Sequence, residues 1–240
     1  MKTIGMIGGM SWESTASYYQ ALNQGIKREL GGLHSAKIAL YSVDFAEIER
    51  LQHLGEWDET AEILAEAARS VEAAGADFFM ICTNTMHKVA EKVEQAVEIP
   101  LLHIADATAH KLIEDGIKTV GLLGTKFTME QDFYKGRLTD RYGIQVLTPE
   151  PQDREIVHRV IYEELCLGKV SPQSRQSYLK IIESLYVQGA QAVILGCTEI
   201  ALLVGQQDTQ VPLYDTTAIH SEAAVKKALL LASESASAPK

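Results

Sequence analysis

The sequence predicts an α/β protein built from two similar parallel-sheet domains related by internal duplication. Three matched landmarks, in the same order in each half, predict it. A short apolar run ending in glycine opens each half: Thr3-Ile-Gly-Met-Ile-Gly8 and Thr119-Val-Gly-Leu-Leu-Gly124, at an offset of 116 residues. An amphipathic segment, a glycine and a second apolar run follow: Gly75-Ala-Asp-Phe-Phe-Met-Ile-Cys-Thr83-Asn84-Thr85 and Gly189-Ala-Gln-Ala-Val-Ile-Leu-Gly-Cys197-Thr198-Glu199, at an offset of 114. Last come Ile99-Pro-Leu-Leu-His103 with Thr108-Ala-His110, and Val211-Pro-Leu-Tyr-Asp215 with Thr217-Ala-Ile-His220.

Each element has a local reason. The run from Thr3 to Gly8 is short and apolar, as a strand buried on both faces should be, and its glycine permits a tight turn. A helix is expected from Ser11 or Glu13 through Tyr19. The matching strand from Thr119 to Gly124 leads through Thr125 to a helical stretch from about Met129. Asp58 opens a helix whose apolar stripe is Ala61, Leu64, Ala68, Val71 and Ala74, at spacings of three and four. Gly75 stops it. Its counterpart runs from Pro172 or Gln173 to Gln188, with Tyr178, Ile181, Ile182 and Leu185 inward, and stops at Gly189. Strands alternating with helices imply parallel sheets covered on both sides, joined by right-handed connections.

Composition narrows the function. The chain has 240 residues and is 46% hydrophobic, enough for one large core or two modest ones. Its 22% charged residues leave disorder only to the polar tail Ser233–Lys240, which is expected to fray. A net charge of −10 opposes binding to phosphate backbones, so no nucleic-acid partner is expected. Nothing resembles a membrane span or a signal peptide, so a soluble cytoplasmic protein without membrane partners is expected. Cys82, Cys166 and Cys197 are too few and too odd in number for a disulfide framework. No Cys-x-x-Cys occurs, and Cys82 with His87 does not make a zinc-ligand set, so no metal is expected.

In open parallel sheets, ligands sit beyond the carboxyl ends of the strands. Gly8–Ser11, Gly124–Thr125, Thr83–Thr85 and Cys197–Glu199 all lie at such ends. Gly5-x-x-Gly8-Gly9 is neither the dinucleotide fingerprint nor a Walker A loop. It reads as a strand-to-helix turn whose N–H groups can meet a carboxylate. Cys197 precedes a possible helix start, where dipole and free N–H groups would lower a thiol pKa and make it a base or nucleophile. Asn84 and the threonines beside it are either helix caps or a polar cradle. Cys82 is one residue from Thr83 and points to the other face of an extended strand, so it reads as core, as does Cys166.

Together, Gly8-Gly9-Met10-Ser11-Trp12-Glu13-Ser14-Thr15, Thr83-Asn84-Thr85-Met86-His87, Leu123-Gly124-Thr125, Glu163-Glu164-Leu165 with Gly168-Lys169, and Gly196-Cys197-Thr198-Glu199 resemble the aspartate/glutamate racemase family, over nearly the whole chain. Within that family the likeness is to enterobacterial aspartate/glutamate or broad-specificity amino-acid racemases. The resemblance implies an N-terminal domain of residues 1–100 plus 212–240, a second domain of 101–211, and an active site in the cleft between them. It implies a homodimer acting without a cofactor on a small acidic amino acid. In the family two cysteines flank the substrate Cα; one removes a proton and the other returns one. Those positions map onto Thr83 and Cys197. By the same carry-over Met10, Gln52, Asn84, Thr85, Thr125, Lys169, Thr198 and Glu199 hold the substrate, with Arg50 beside Gln52.

Thr83 departs from that pattern. A hydroxyl cannot supply an alkoxide near neutral pH, but it can donate a proton to a developing carbanion. Cys197 is then the base toward the L-enantiomer and Thr83 the proton donor. Cys82 is the rival for the missing thiol. Other readings are a broad-specificity racemase of neutral amino acids such as homoserine, an isomerase or decarboxylase of related dicarboxylates, and a non-catalytic two-lobed amino-acid sensor.

Overall fold

The computed structural model describes residues 1–230; the tail expected to fray lies outside the described residues. The chain divides into two compact units, Met1–His103 with the segment from His220, and Ile104–Ile219. The first contains β1 (Ile4–Gly8), α1 (Trp12–Leu30), β2 (Ile38–Ser42), α2 (Phe45–Leu54), α3 (Trp57–Ala73), β3 (Phe78–Ile81) and α4 (Ala90–Glu94). The second contains α5 (Ile104–Glu114), β4 (Thr119–Gly124), α6 (Lys126–Glu130), α7 (Asp132–Tyr142), β5 (Gln145–Leu147), α8 (Pro151–Glu163), α9 (Pro172–Val187), β6 (Ala192–Gly196), α10 (Ile200–Leu203) and β7 (Leu213–Asp215). The last helix, α11 (Thr216–Leu229), begins in the second unit and ends in the first. Among the described residues no helix is long and apolar enough to cross a membrane.

In the first unit β1 is the middle of a parallel sheet ordered β2-β1-β3. Ile4 pairs with Ile38 and Phe78, and Ile7 with Tyr41 and Ile81. A bridge from Phe79 to Leu101 extends the sheet. All of β1 is buried, because both faces are covered. Phe79 and Ile81 pack among Ile48 of α2 and Leu64, Ala68 and Val71 of α3. Phe78, Met80 and Cys82 point the other way, onto Tyr18, Leu22 and Ile26 of α1 and Ala224 and Val225 of α11. Cys82 is thereby a fully buried core residue, and burial drives its thiol pKa far above the ordinary range.

The second unit repeats this plan with a parallel sheet ordered β5-β4-β6-β7. Leu123, Val193 and Leu195 face Tyr178, Ile181, Ile182 and Leu185 of α9. Val120, Leu122 and Ile194 face Leu112 of α5 and Tyr134 and Leu138 of α7. The repeat extends to single bonds. After α3, Gly75 N–H donates to Glu72 O and Ala76 N–H to Val71 O; after α9, Gly189 N–H donates to Tyr186 O and Ala190 N–H to Leu185 O. A Cβ on Gly5 would stand 3.0 Å from Val71 and 3.1 Å from Phe79, and one on Gly121 would stand 2.8 Å from Leu185 and 3.1 Å from Val193. In each unit, therefore, a glycine in the central strand lets the covering helix seat directly on the sheet.

Some elements differ from expectation. α1 runs on from Tyr19 to Leu30, because Tyr18, Leu22 and Ile26 continue one buried stripe. α6 starts at Lys126 rather than Met129, because Thr125 caps it by accepting a hydrogen bond from Thr128 N–H at 3.3 Å. Ala74 caps α3 in an exposed position and does not belong to its stripe, whereas Ala65 and Ala67 are buried.

The core of the first unit also holds His220 of α11, which is fully buried. Its Nε2 lies 2.8 Å from Leu102 O and so donates, leaving Nδ1 to accept from Tyr18 OH at 3.0 Å. His87 and His103 lie beside it, with ring centroids 4.4 Å from each other and His87 6.2 Å from His220. Burial pushes His220 down from 6.5 to about 4.

Two outcomes are expected. Gly121→Val should destabilise the protein by about 1–3 kcal/mol through overpacking, read as a lower urea midpoint. As pH falls from 6.5 toward about 4, the unfolded chain protonates His220 before the folded one does, so stability is lost across that window. The loss attributable to this histidine is about 3 kcal/mol, and His220→Gln should flatten the urea midpoint against pH over that range.

Candidate active site

Parallel pairing sets the two strand ends of each unit side by side. In the first, Cys82 N–H donates to Ile7 O at 2.9 Å and extends the β1–β3 ladder by one residue. Thr83 is therefore the first residue clear of the sheet, on the face opposite Cys82, and is half-buried. In the second, Gly124 pairs with Gly196, so Thr125 and Cys197 are the corresponding first residues. Cys197 too is half-buried.

The turn after β1 is held tightly. Gly9 has φ +94°, and a Cβ there would lie 2.2 Å from Val43 O, so no side chain fits. Gly9 N–H donates to Thr15 Oγ1 at 2.8 Å, and that hydroxyl donates to Ser11 O at 2.9 Å. Ser11 caps α1 by accepting from Ser14 N–H at 3.3 Å. Ser14 Oγ donates to Cys82 O at 3.4 Å, tying the start of α1 to the end of β3.

After Thr83 the chain enters a 3₁₀ turn over Thr85–Val89, with Asn84 and Thr85 buried. His87 Nδ1 lies 2.8 Å from Thr83 O and donates to it, which fixes the backbone of Thr83. Gln52 of α2 is also buried, and its Nε2 donates to Met86 Sδ at 3.0 Å. Met10 shares a buried cluster with Met86. The first unit thus gathers Met10, Gln52, Thr83, Asn84 and Thr85 around one strand end. Arg50 is exposed on α2.

In the second unit Thr125 is buried at the cap of α6, and the next N–H, that of Lys126, donates to His158 Nδ1 at 3.2 Å. Glu199 is buried at the start of α10. Its Oε2 accepts from Cys197 Sγ at 3.0 Å and from Thr198 Oγ1 at 2.7 Å. The expected low thiol pKa at a helix start is corrected by this arrangement. α10 has only four residues, and burial, the Glu199 carboxylate and Cys166 push the Cys197 thiol well above its ordinary value. Lys169 is exposed on the turn closed by Gly168, and its backbone N–H donates to Glu164 O at 2.9 Å. The sequence places His87 in the motif that follows Thr83, and His103 and His220 at the third landmark of each half, but assigns none of them a role.

A sequence profile described as Asp/Glu/Hydantoin racemase matches residues 7–224. Broad specificity amino-acid racemase RacX of Bacillus subtilis (strain 168) is 24% identical over 234 residues, covering 92% of this chain and 96% of RacX. A crystal structure from Yersinia pestis, provisionally named an Asp/Glu racemase, is 59% identical, with TM-score 0.89 over 95% of this chain and all of that one. An aspartate racemase homologue from Pyrococcus horikoshii OT3 is 35% identical, with TM-score 0.80 over 95% of this chain and 99% of that one.

Proposed function

The chain belongs to the Asp/Glu/Hydantoin racemase family, and we propose that it interconverts the enantiomers of aspartate or glutamate, working chiefly from the L-enantiomer. Cys197 takes the Cα proton and Thr83 returns a proton to the opposite face. One observation carries this reading. Thr83 and Cys197 hold the same position in the repeat, 114 residues apart, each half-buried one step past a strand paired to the central strand of its unit. Cys82 is unsuited to be the missing base, because it is wholly buried and its thiol is held protonated.

A carbanion at Cα needs hydrogen-bond donors and positive charge around its carboxylate. Met10, Gln52, Asn84, Thr85, Thr125, Lys169 and Thr198 are the proposed substrate-holding set; Lys169 supplies charge, and the amides and hydroxyls supply donors. Thr83 can give a proton but cannot take one from Cα near neutral pH. Since an enzyme leaves the equilibrium between enantiomers unchanged, the asymmetry lies in rates and binding. The broad-specificity name of the B. subtilis relative favours a second reading, a neutral substrate such as homoserine.

Cα-hydrogen exchange in deuterated buffer, followed separately for D- and L-aspartate, tests the assignment. The wild type should exchange the L-enantiomer faster, Thr83→Cys should raise exchange of the D-enantiomer, and Cys197→Ser should lose about a hundredfold or more on both. Equal exchange of both enantiomers by the wild type, or full activity in Cys197→Ser, overturns it. Homoserine in the same assay decides between the two substrate readings.

A further inference from the structure

We infer that Glu199 is the proton partner of Cys197: a positioning residue that acts through the thiol by accepting its proton, and not a group that holds the substrate. The inference rests on the proposed role of Cys197 as base and deepens it. A base at this position must be a thiolate, yet the Cys197 thiol is poorly placed to lose its proton to water. It is half-buried, packs against the apolar cluster of Tyr178 and Leu195, and sits beside a four-residue helix with little dipole to offer. Among the described residues, the anion that Cys197 Sγ reaches by a hydrogen bond is the Glu199 carboxylate. Its Oε2 is 3.0 Å from Cys197 Sγ, and the carboxylate is itself buried.

Glu199 is also poorly suited to hold an acidic substrate. A buried carboxylate repels the carboxylates of aspartate or glutamate. The same oxygen is oriented by Thr198 Oγ1, which donates to it at 2.7 Å, so Oε2 is held toward the thiol. The other titratable groups around the thiol are Cys166 on the 3₁₀ turn Leu165–Leu167 and Tyr178 of α9, with Glu164 beside Tyr178. Burial pushes the Tyr178 hydroxyl well above its ordinary range, so it keeps its proton near neutral pH and holds no negative charge to accept another. Glu164 already accepts from Ser174 Oγ at 2.7 Å.

The step balances. The Cys197 S–H bond breaks as a Glu199 O–H bond forms, leaving a thiolate and a neutral carboxylic acid. The thiolate then takes the Cα proton: the S–H bond reforms, the C–H bond breaks, and the electron pair stays on the substrate as a carbanion. The carbanion takes the Thr83 proton, Thr83 takes one from solvent, and Glu199 returns one to solvent. In the resting protein the proton stays on sulfur, in keeping with the raised thiol pKa beside an anion.

Glu199→Gln separates this role from others, because it moves two readouts in opposite directions. Removing the anion should make Cys197 easier to ionise, so its alkylation by iodoacetamide, followed on the Cys197 peptide by mass spectrometry, should speed up near neutral pH with a midpoint lower by about one pH unit. Removing the proton acceptor should slow Cα exchange of L-aspartate by about tenfold or more. Glu199→Asp, which keeps a carboxylate, should recover part of the exchange rate. If exchange rises together with alkylation in Glu199→Gln, the carboxylate only restrains the thiol and the inference fails. It fails equally if alkylation is unchanged in both variants, each first shown to be folded by circular dichroism. If the wild type exchanges no amino acid at all, the racemase reading falls instead, while the alkylation profiles still decide whether Glu199 governs the thiol.

Discussion

The parallel ladder between the central strand and its neighbour is the constraint on which the candidate residues depend. β1 with β3 runs in register to Ile7 and Ile81, and β4 with β6 to Gly124 and Gly196. With a side-chain period of two, that register decides which residue enters the core and which meets solvent. Cys82 is committed to the α1 face and Thr83 to the other. A slip of one residue would exchange a buried thiol for a hydroxyl, so no small adjustment can substitute Cys82 for Thr83. The same rule brings Thr125 beside Cys197, and the turn after Gly8 beside the end of β3. Gly5 and Gly121 leave room for the covering helix to approach the ladder, which is why they recur.

Much of the fold was legible in the sequence because duplication writes each signal twice. Gly75 and Gly189 end equivalent helices with equivalent bonds, and the runs that follow them are short, apolar and buried. The illegible parts are those where the repeat is uneven. β2 is an edge strand with partly exposed residues, and β5 has three residues, so neither carries a strong period. The Ile99-Pro-Leu-Leu segment forms only the bridge at Leu101, where its counterpart is the strand β7. α7 and α8 have polar sequences with few buried residues, so their amphipathic stripes are thin.

The candidate site was legible as a set of strand ends and illegible as chemistry. Position alone identified Thr83, Asn84, Thr85, Thr125 and Cys197. Position could not reveal that Gln52 lies against Met86, or that Glu199 turns its carboxylate onto Cys197, since both depend on side-chain direction. The ionisation of Cys197 was misjudged from sequence for a specific reason. The phrase Thr198-Glu-Ile-Ala promises a helix, but only four residues of one form, and the nearest charge is negative.

The path of the chain through its two units sets their order of completion. Residues Ile104–Ile219 are contiguous, so the second unit has its whole sequence once Ile219 has been made. The first unit lacks Ala224, Val225 and Ala228, which fill the α1 face of its sheet, and His220, which ties Tyr18 to Leu102, until α11 is complete. During synthesis from the N-terminus, the half that begins first is therefore the half that closes last. The hydroxyl-bearing strand end waits on a core left open, while the thiol-bearing one already has every residue of its own.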